Sequence, residues 1–97
     1  MNNLEHKLSK HLLEKAAERA IPELMIREIL SNPDQIVDDK TGEKGQKVFQ
    51  SIINFTENST YLVRVFVNTL KDPNVVKSVY KTSKISKYYE SELRPGG

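Results

Sequence analysis

"IPELMIREILSNPDQIVDD", residues 21–39, decides the fold. Up to Asn32 its apolar residues recur at helical spacing, with Leu24, Met25 and Ile29 on one stripe and Ile26 and Leu30 beside it. Pro22 suits the first helical position, where its missing N–H costs nothing. Pro33 pushes Asn32 out of helical dihedrals and ends the helix. Beyond it, "DQIVDD" alternates with period two, the pattern of a strand. The chain therefore changes from helix to strand at Pro33.

Upstream, "SKHLLEKAAERA", residues 9–20, reads as another helix. The Ser9 hydroxyl can cap it by accepting from a free amide of the first turn. Leu12, Leu13, Ala16, Ala17 and Ala20 recur on its apolar side. Before it, "LEHKLS" alternates loosely and reads as a short strand. The linker to the second helix is so short that the two form a tight corner.

Downstream, "KTGEKG" reads as a turn in which Gly42 and Gly45 can take positive φ. "QKVFQSIINF" is a strand with Val48, Gln50 and Ile52 on one face and Phe49, Ser51 and Ile53 on the other. After the polar "TENST", "YLVRVFVNTL" is apolar on both faces and reads as the central strand. "KDPN" is a turn and "VVKSVYKT" the last strand. "SKISKYYESEL" reads as a short final helix and "RPGG", residues 94–97, as a frayed end. The expected fold is α+β: two N-terminal helices packed on a three- to four-stranded antiparallel sheet, with a short C-terminal helix. One domain is expected over residues 1–97, with its core at about 9–89.

Composition narrows the chemistry. The chain has no cysteine, which removes disulfides and thiolate metal sites, and only two histidines. Neither a metal nor an organic cofactor is expected. Asp38-Asp39 and Glu90/Glu92 lack the spacing of a metal loop, and there is no glycine-rich phosphate loop. No run approaches the roughly 20 apolar residues of a membrane span, and the N-terminus lacks a signal-peptide core. A cytoplasmic protein with no membrane partner is expected. Net charge is +2, and residues 71–97 hold six Lys and Arg against three Asp and Glu. The C-terminal quarter is the positive pole.

The order of elements and the short motifs "SKHLLEK", "ERAI", "NPDQIV", "YLVRV" and "KSVYKTSKISKYY" together resemble the small bacterial domain-of-unknown-function family 4258. The resemblance runs from about Ser9 to Tyr89. Lys15 stands at the family's usual arginine, Ala20 at its usual glycine and Ser78 at its usual threonine. Lys15 keeps the charge but not the planar fork. In fold order the family is similar to compact RelE-like and BrnT-like toxin ribonucleases. That resemblance implies RNA and an acidic antitoxin-like protein as partners.

Three residues are candidates for catalysis. His11, in the first turn of helix one and within the resembling motif, suits a general base or acid. Arg64, flanked by valines in the central strand, either reaches a carboxylate, lines a cleft or marks a solvated face. Tyr80 and Thr82 share Arg64's face if the register permits, offering a phenol, a hydroxyl and a guanidinium as an oxyanion grip. Lys77 and Lys81 fall on the opposite parity. Lys15, Arg19, Thr82, Lys84 and Lys87 are the candidate anion-binding residues. Interleaved lysine and tyrosine after the last strand suit nucleic acid. They equally describe a solubilising helix docked through Ile85 and Tyr88.

Two functions follow as expectations. The first is a toxin-like module that binds RNA or cleaves it without metal. The second is a non-enzymatic protein-interaction domain using the basic last strand and the apolar strip Ile85, Tyr88, Tyr89 and Leu93.

Overall fold

A computed structural model describes residues 6–41 and 45–90. The chain forms β1 (His6–Lys7), α1 (Lys10–Glu18), α2 (Glu23–Ser31), β2 (Gln35–Asp38), β3 (Gln46–Thr56), β4 (Ser59–Asn68), β5 (Asn74–Thr82) and α3 (Ile85–Tyr88). The fold is α+β, with two N-terminal helices on a mostly antiparallel sheet. The sheet has five strands rather than three or four, in the order β1-β5-β4-β3-β2. β2 to β5 form an antiparallel meander, and β1 adds to the edge parallel to β5. That first strand is only two residues long. Gly42, Leu93 and the "RPGG" end lie outside the described residues. Among the described residues no helix is long and apolar enough to cross a membrane.

Local chemistry explains each boundary. Ser9 Oγ accepts from the Leu12 amide at 3.0 Å and starts α1. α1 ends in a left-handed cap. Ala20 has φ 59°, its N–H donates to the Ala17 carbonyl, and the Ile21 N–H donates to the Ala16 carbonyl. Pro22 is the N-cap of α2 rather than its first residue, in an extended conformation with φ −70°. Gly45 has φ +91°, and a Cβ there would meet Leu70 Cδ2 at 2.8 Å. The β3–β4 turn is tight, with only Glu57 and Asn58 outside the strands.

The core lies between the helices and one face of the sheet. Leu12 and Ala16 of α1, Ile21, and Ile26, Ile29 and Leu30 of α2 pack against Phe49, Val63, Val65, Val67, Val76 and Val79. Leu24 is 76% exposed, so the buried stripe of α2 runs through Ile26, Ile29 and Leu30 instead. Val76 and Val79 are three residues apart, yet both face the helices. A β-bulge reconciles them: Val67 pairs with Val76 and Phe66 with Ser78, leaving Lys77 as the extra residue. Lys77 therefore does not share the parity of Lys81.

Strand alternation turns Val48, Gln50, Leu62, Arg64, Phe66 and Tyr80 to the other face. That face is not open sheet. Val48, Gln50 and Leu62 are fully buried. Residues 85–90 lie across it, held at Tyr88 and Glu90 by hydrogen bonds from Gln50 and Gln35.

Candidate functional site

Arg64 is the centre of the covered face. It lies directly opposite Tyr80 across the β4–β5 ladder and opposite Gln50 across the β3–β4 ladder. Its Nε donates to Gln50 Oε1 at 2.8 Å and its Nη1 to the Tyr80 hydroxyl at 3.1 Å. Its guanidinium carbon lies 4.4 Å from the Tyr88 ring centroid, 5.2 Å from that of Phe66 and 6.0 Å from that of Tyr80. The Phe66 and Tyr80 rings stack on one another at 5.8 Å. A guanidinium has five N–H groups. Two are used as described, and the other three carry no hydrogen bond to any described residue.

The cation lines a cleft of about 380 Å³, at the small end of the roughly 300–1,000 Å³ range of ligand pockets. Arg64, Phe66 and Tyr80 form its floor. Asp38, Asp39, Lys40 and Thr41 form one wall, and Lys87, Tyr88 and Glu90 the other. The wall carboxylates are matched by lysines: Asp38 with Lys47 at 2.6 Å, Asp39 with Lys77 at 3.9 Å and Glu90 with Lys40 at 3.6 Å. Lys47 holds the Asp38 carboxyl below the usual carboxylate range, through its hydrogen bond and its charge. Asp39 also accepts from the Thr41 amide and hydroxyl, which fixes the loop. Among the described residues, neither Arg64 nor Lys87 is in an ion pair with a carboxylate. Of the three situations open to Arg64, the structure realises the cleft.

Tyr88 sits among these cations. Lys87 Nζ is 5.3 Å from the Tyr88 ring centroid. The Tyr88 phenol is held below its ordinary value, chiefly by the charge of Lys87, with hydrogen bonds to Lys87 and Tyr80 and the charge of Arg64 adding to it. Burial acts the other way and is outweighed.

The predicted residues divide by layer. Arg64, Tyr80 and Lys87 meet in the cleft. Thr82 shares their sheet face but pairs with Leu62, and its hydroxyl accepts from the Lys84 amide. Lys84 is the N-cap of α3 and faces a separate hollow with Ile85 and Tyr89. His11, Lys15 and Arg19 are not part of the cleft. α1 packs through Leu12 and Ala16 on the helix side of the sheet, so the sheet stands between His11 and Arg64. His11 is exposed, and Lys15 pairs with Glu18 at 3.8 Å. Arg19 donates to the Val79 carbonyl at 2.9 Å, tying α1 to β5. Sequence spacing does not say which layer a helix joins; in the structure His11 lies on the helix side of the sheet and Arg64 and Tyr80 on the other.

Sequence reasoning missed Gln35, Gln50 and Phe66, and placed Tyr88 on an apolar strip. One signal was available: Gln50 sits between Val48 and Ile52 on an apolar parity, and a polar side chain there needs a partner. The described part of the apolar strip is not free either. Tyr88 is engaged with Arg64, and Ile85 and Tyr89 are half-buried.

Residues 8–81 match the model of a protein family described as Domain of unknown function (DUF4258). No curated protein and no solved structure matches the chain.

Proposed function

This chain belongs to the DUF4258 family, and we propose that it is a toxin-like module that binds single-stranded RNA in the Arg64 cleft and cleaves it with its own side chains. One observation carries the reading: Arg64 is held by Gln50, Tyr80 and three rings, yet three of its five N–H groups carry no hydrogen bond to any described residue, beside Lys87. A planar guanidinium held this way suits a phosphodiester, whose oxygens match the fork. Lys87 adds a point charge. The exposed edges of the aromatic cluster suit an unstacked base.

The cleavage step follows from the phenols. Tyr88 acts as the phenolate, the form that the charge of Lys87 favours, and accepts the proton of the 2′-hydroxyl to become the phenol. The 2′-oxygen attacks phosphorus, the P–O5′ bond breaks, and the Tyr80 phenol gives its proton to the leaving O5′. Arg64 and Lys87 neutralise the charge that builds on the phosphoryl oxygens. The products are a 2′,3′-cyclic phosphate and a 5′-hydroxyl. His11, across the sheet, takes no part.

Fluorescence anisotropy with a labelled single-stranded RNA tests the binding half. Arg64→Gln is expected to weaken binding about tenfold and to lower the salt slope by about 1. Unchanged affinity overturns it. For cleavage, RNA is incubated in EDTA with wild type, Tyr88→Phe and His11→Ala. The expected result is loss of activity in Tyr88→Phe and wild-type activity in His11→Ala. Equal cleavage by Tyr88→Phe, or none by wild type on diverse RNAs, removes the catalytic half.

A further inference from the structure

Four side chains form one row across the sheet. Gln35 of β2 is the register partner of Gln50 of β3, Gln50 of Arg64 of β4, and Arg64 of Tyr80 of β5. Neighbours in the row are hydrogen-bonded: Arg64 donates to Gln50 and to Tyr80, and Gln50 donates to Gln35. We propose that this row is a latch: Gln50 is a positioning residue that aims Arg64 and, with Gln35, holds the backbone of residues 88–90 so that Lys87 and Tyr88 complete the cleft. The inference rests on the reading of that cleft as the binding site.

The direction of every bond in the row is forced. Arginine can only donate, so the group facing Arg64 Nε must be Gln50 Oε1. That turns Gln50 Nε2 away, toward two acceptors. One is Gln35 Oε1 at 2.6 Å and the other the Tyr88 carbonyl at 3.1 Å. Gln35 Oε1 also accepts from the Glu90 amide at 2.9 Å, and Gln35 Nε2 donates to the Glu90 carbonyl at 3.2 Å. The Gln35 side-chain amide thus grips Glu90 at both backbone groups, as a neighbouring strand would. This two-point grip fixes the register of the segment, and with it the position of Lys87 and Tyr88.

Gln50 is fully buried. Burying an amide costs free energy unless its hydrogen bonds are made, and here one of its three bonds goes to Arg64 and another to the segment carrying Tyr88. A leucine would fill the same space between Val48 and Ile52 without either function. Gln50 therefore couples the aim of Arg64 to the docking of the C-terminal segment.

Full-chain Gln35→Leu and Gln50→Leu test this by NMR. In Gln35→Leu, exchange of the Glu90 amide is expected to speed up at least tenfold. Tyr88, observed through 13Cζ, is expected to titrate higher as it leaves Arg64 and Tyr80. The Arg64 Nε–H stays protected, because Gln50 still accepts from it. In Gln50→Leu the Arg64 Nε–H also loses protection at least tenfold, while the Val65 amide is unchanged in both variants. Gln35 is half-buried on an edge strand, so Gln35→Leu carries the test if Gln50→Leu does not fold. Unchanged Glu90 exchange and Tyr88 titration in Gln35→Leu overturn the latch. None of these signals needs RNA, so they stand or fall apart from the proposed function. Where wild type binds RNA, at least fivefold weaker binding by Gln35→Leu supports the positioning role. Wild-type affinity with the segment released overturns it.

Discussion

Replacing Ala20 by glycine is expected to stabilise the protein. Ala20 closes α1 with φ 59°, the left-handed conformation that crowds a Cβ against the following carbonyl. For an L-residue with a Cβ that conformation costs about 1–2 kcal/mol. Glycine removes the cost but enlarges the unfolded ensemble, which takes back about 0.4–1 kcal/mol. The difference is a gain of about 0.5–1 kcal/mol. Nothing in the folded state opposes it. Ala20 is exposed, so its methyl leaves no cavity, and the cap bonds from Ala20 N–H and Ile21 N–H use backbone atoms only. For a domain of this size 1 kcal/mol moves Tm by about 4–8 °C, so Ala20→Gly is expected to raise Tm by about 2–8 °C. Urea unfolding should show a higher midpoint with the same slope. The control is Ala17→Gly, three residues earlier, exposed and inside α1, which should lower stability by about 1 kcal/mol. An Ala20→Gly variant with unchanged or lower Tm refutes the argument, as does a pair of variants shifting in the same direction.

Ser9→Ala removes the hydroxyl that caps the Leu12 amide and should cost about 1 kcal/mol in urea unfolding. Ile26→Ala, at a fully buried position between α2 and the sheet, should cost about 2–5 kcal/mol, whereas Leu24→Ala, on the exposed side of the same helix, should stay within about 0.5 kcal/mol. Lys87→Met removes the largest influence that depresses the Tyr88 phenol, so its titration, followed by 13Cζ NMR, should move up toward the ordinary value of about 10. On the proposed function, cleavage by the wild-type chain rises with pH through a lower midpoint than cleavage by Lys87→Met.

The fold was legible where periodicity was strong. The change at Pro33, the two apolar helix stripes and the alternation of β3 and β4 are local patterns, and local patterns survive folding. The bulge at Lys77 was legible in principle: Val76 and Val79, three apart in a strand, cannot both face a core without an extra residue. β1 was faint because two residues carry almost no period. The site divided the same way. Parity put Arg64 and Tyr80 on one face, and the register made them direct partners. Gln50's partners lie 14, 15 and 38 residues away, so its role depends on strand order, which no short window contains. The place of His11 was hidden for the converse reason: its motif was local, but the layer it joins was decided by the burial of Leu12 and Ala16.

The segment that completes the cleft begins at Ile85, whereas the match to the family ends at residue 81. The helices, the Arg64–Tyr80 pair and almost all of the meander fall within the matched residues, and Lys87 and Tyr88 beyond them. Gln35 on the edge strand and Gln50 beside it grip that segment by its backbone, so this part of its attachment is blind to which side chains the segment carries.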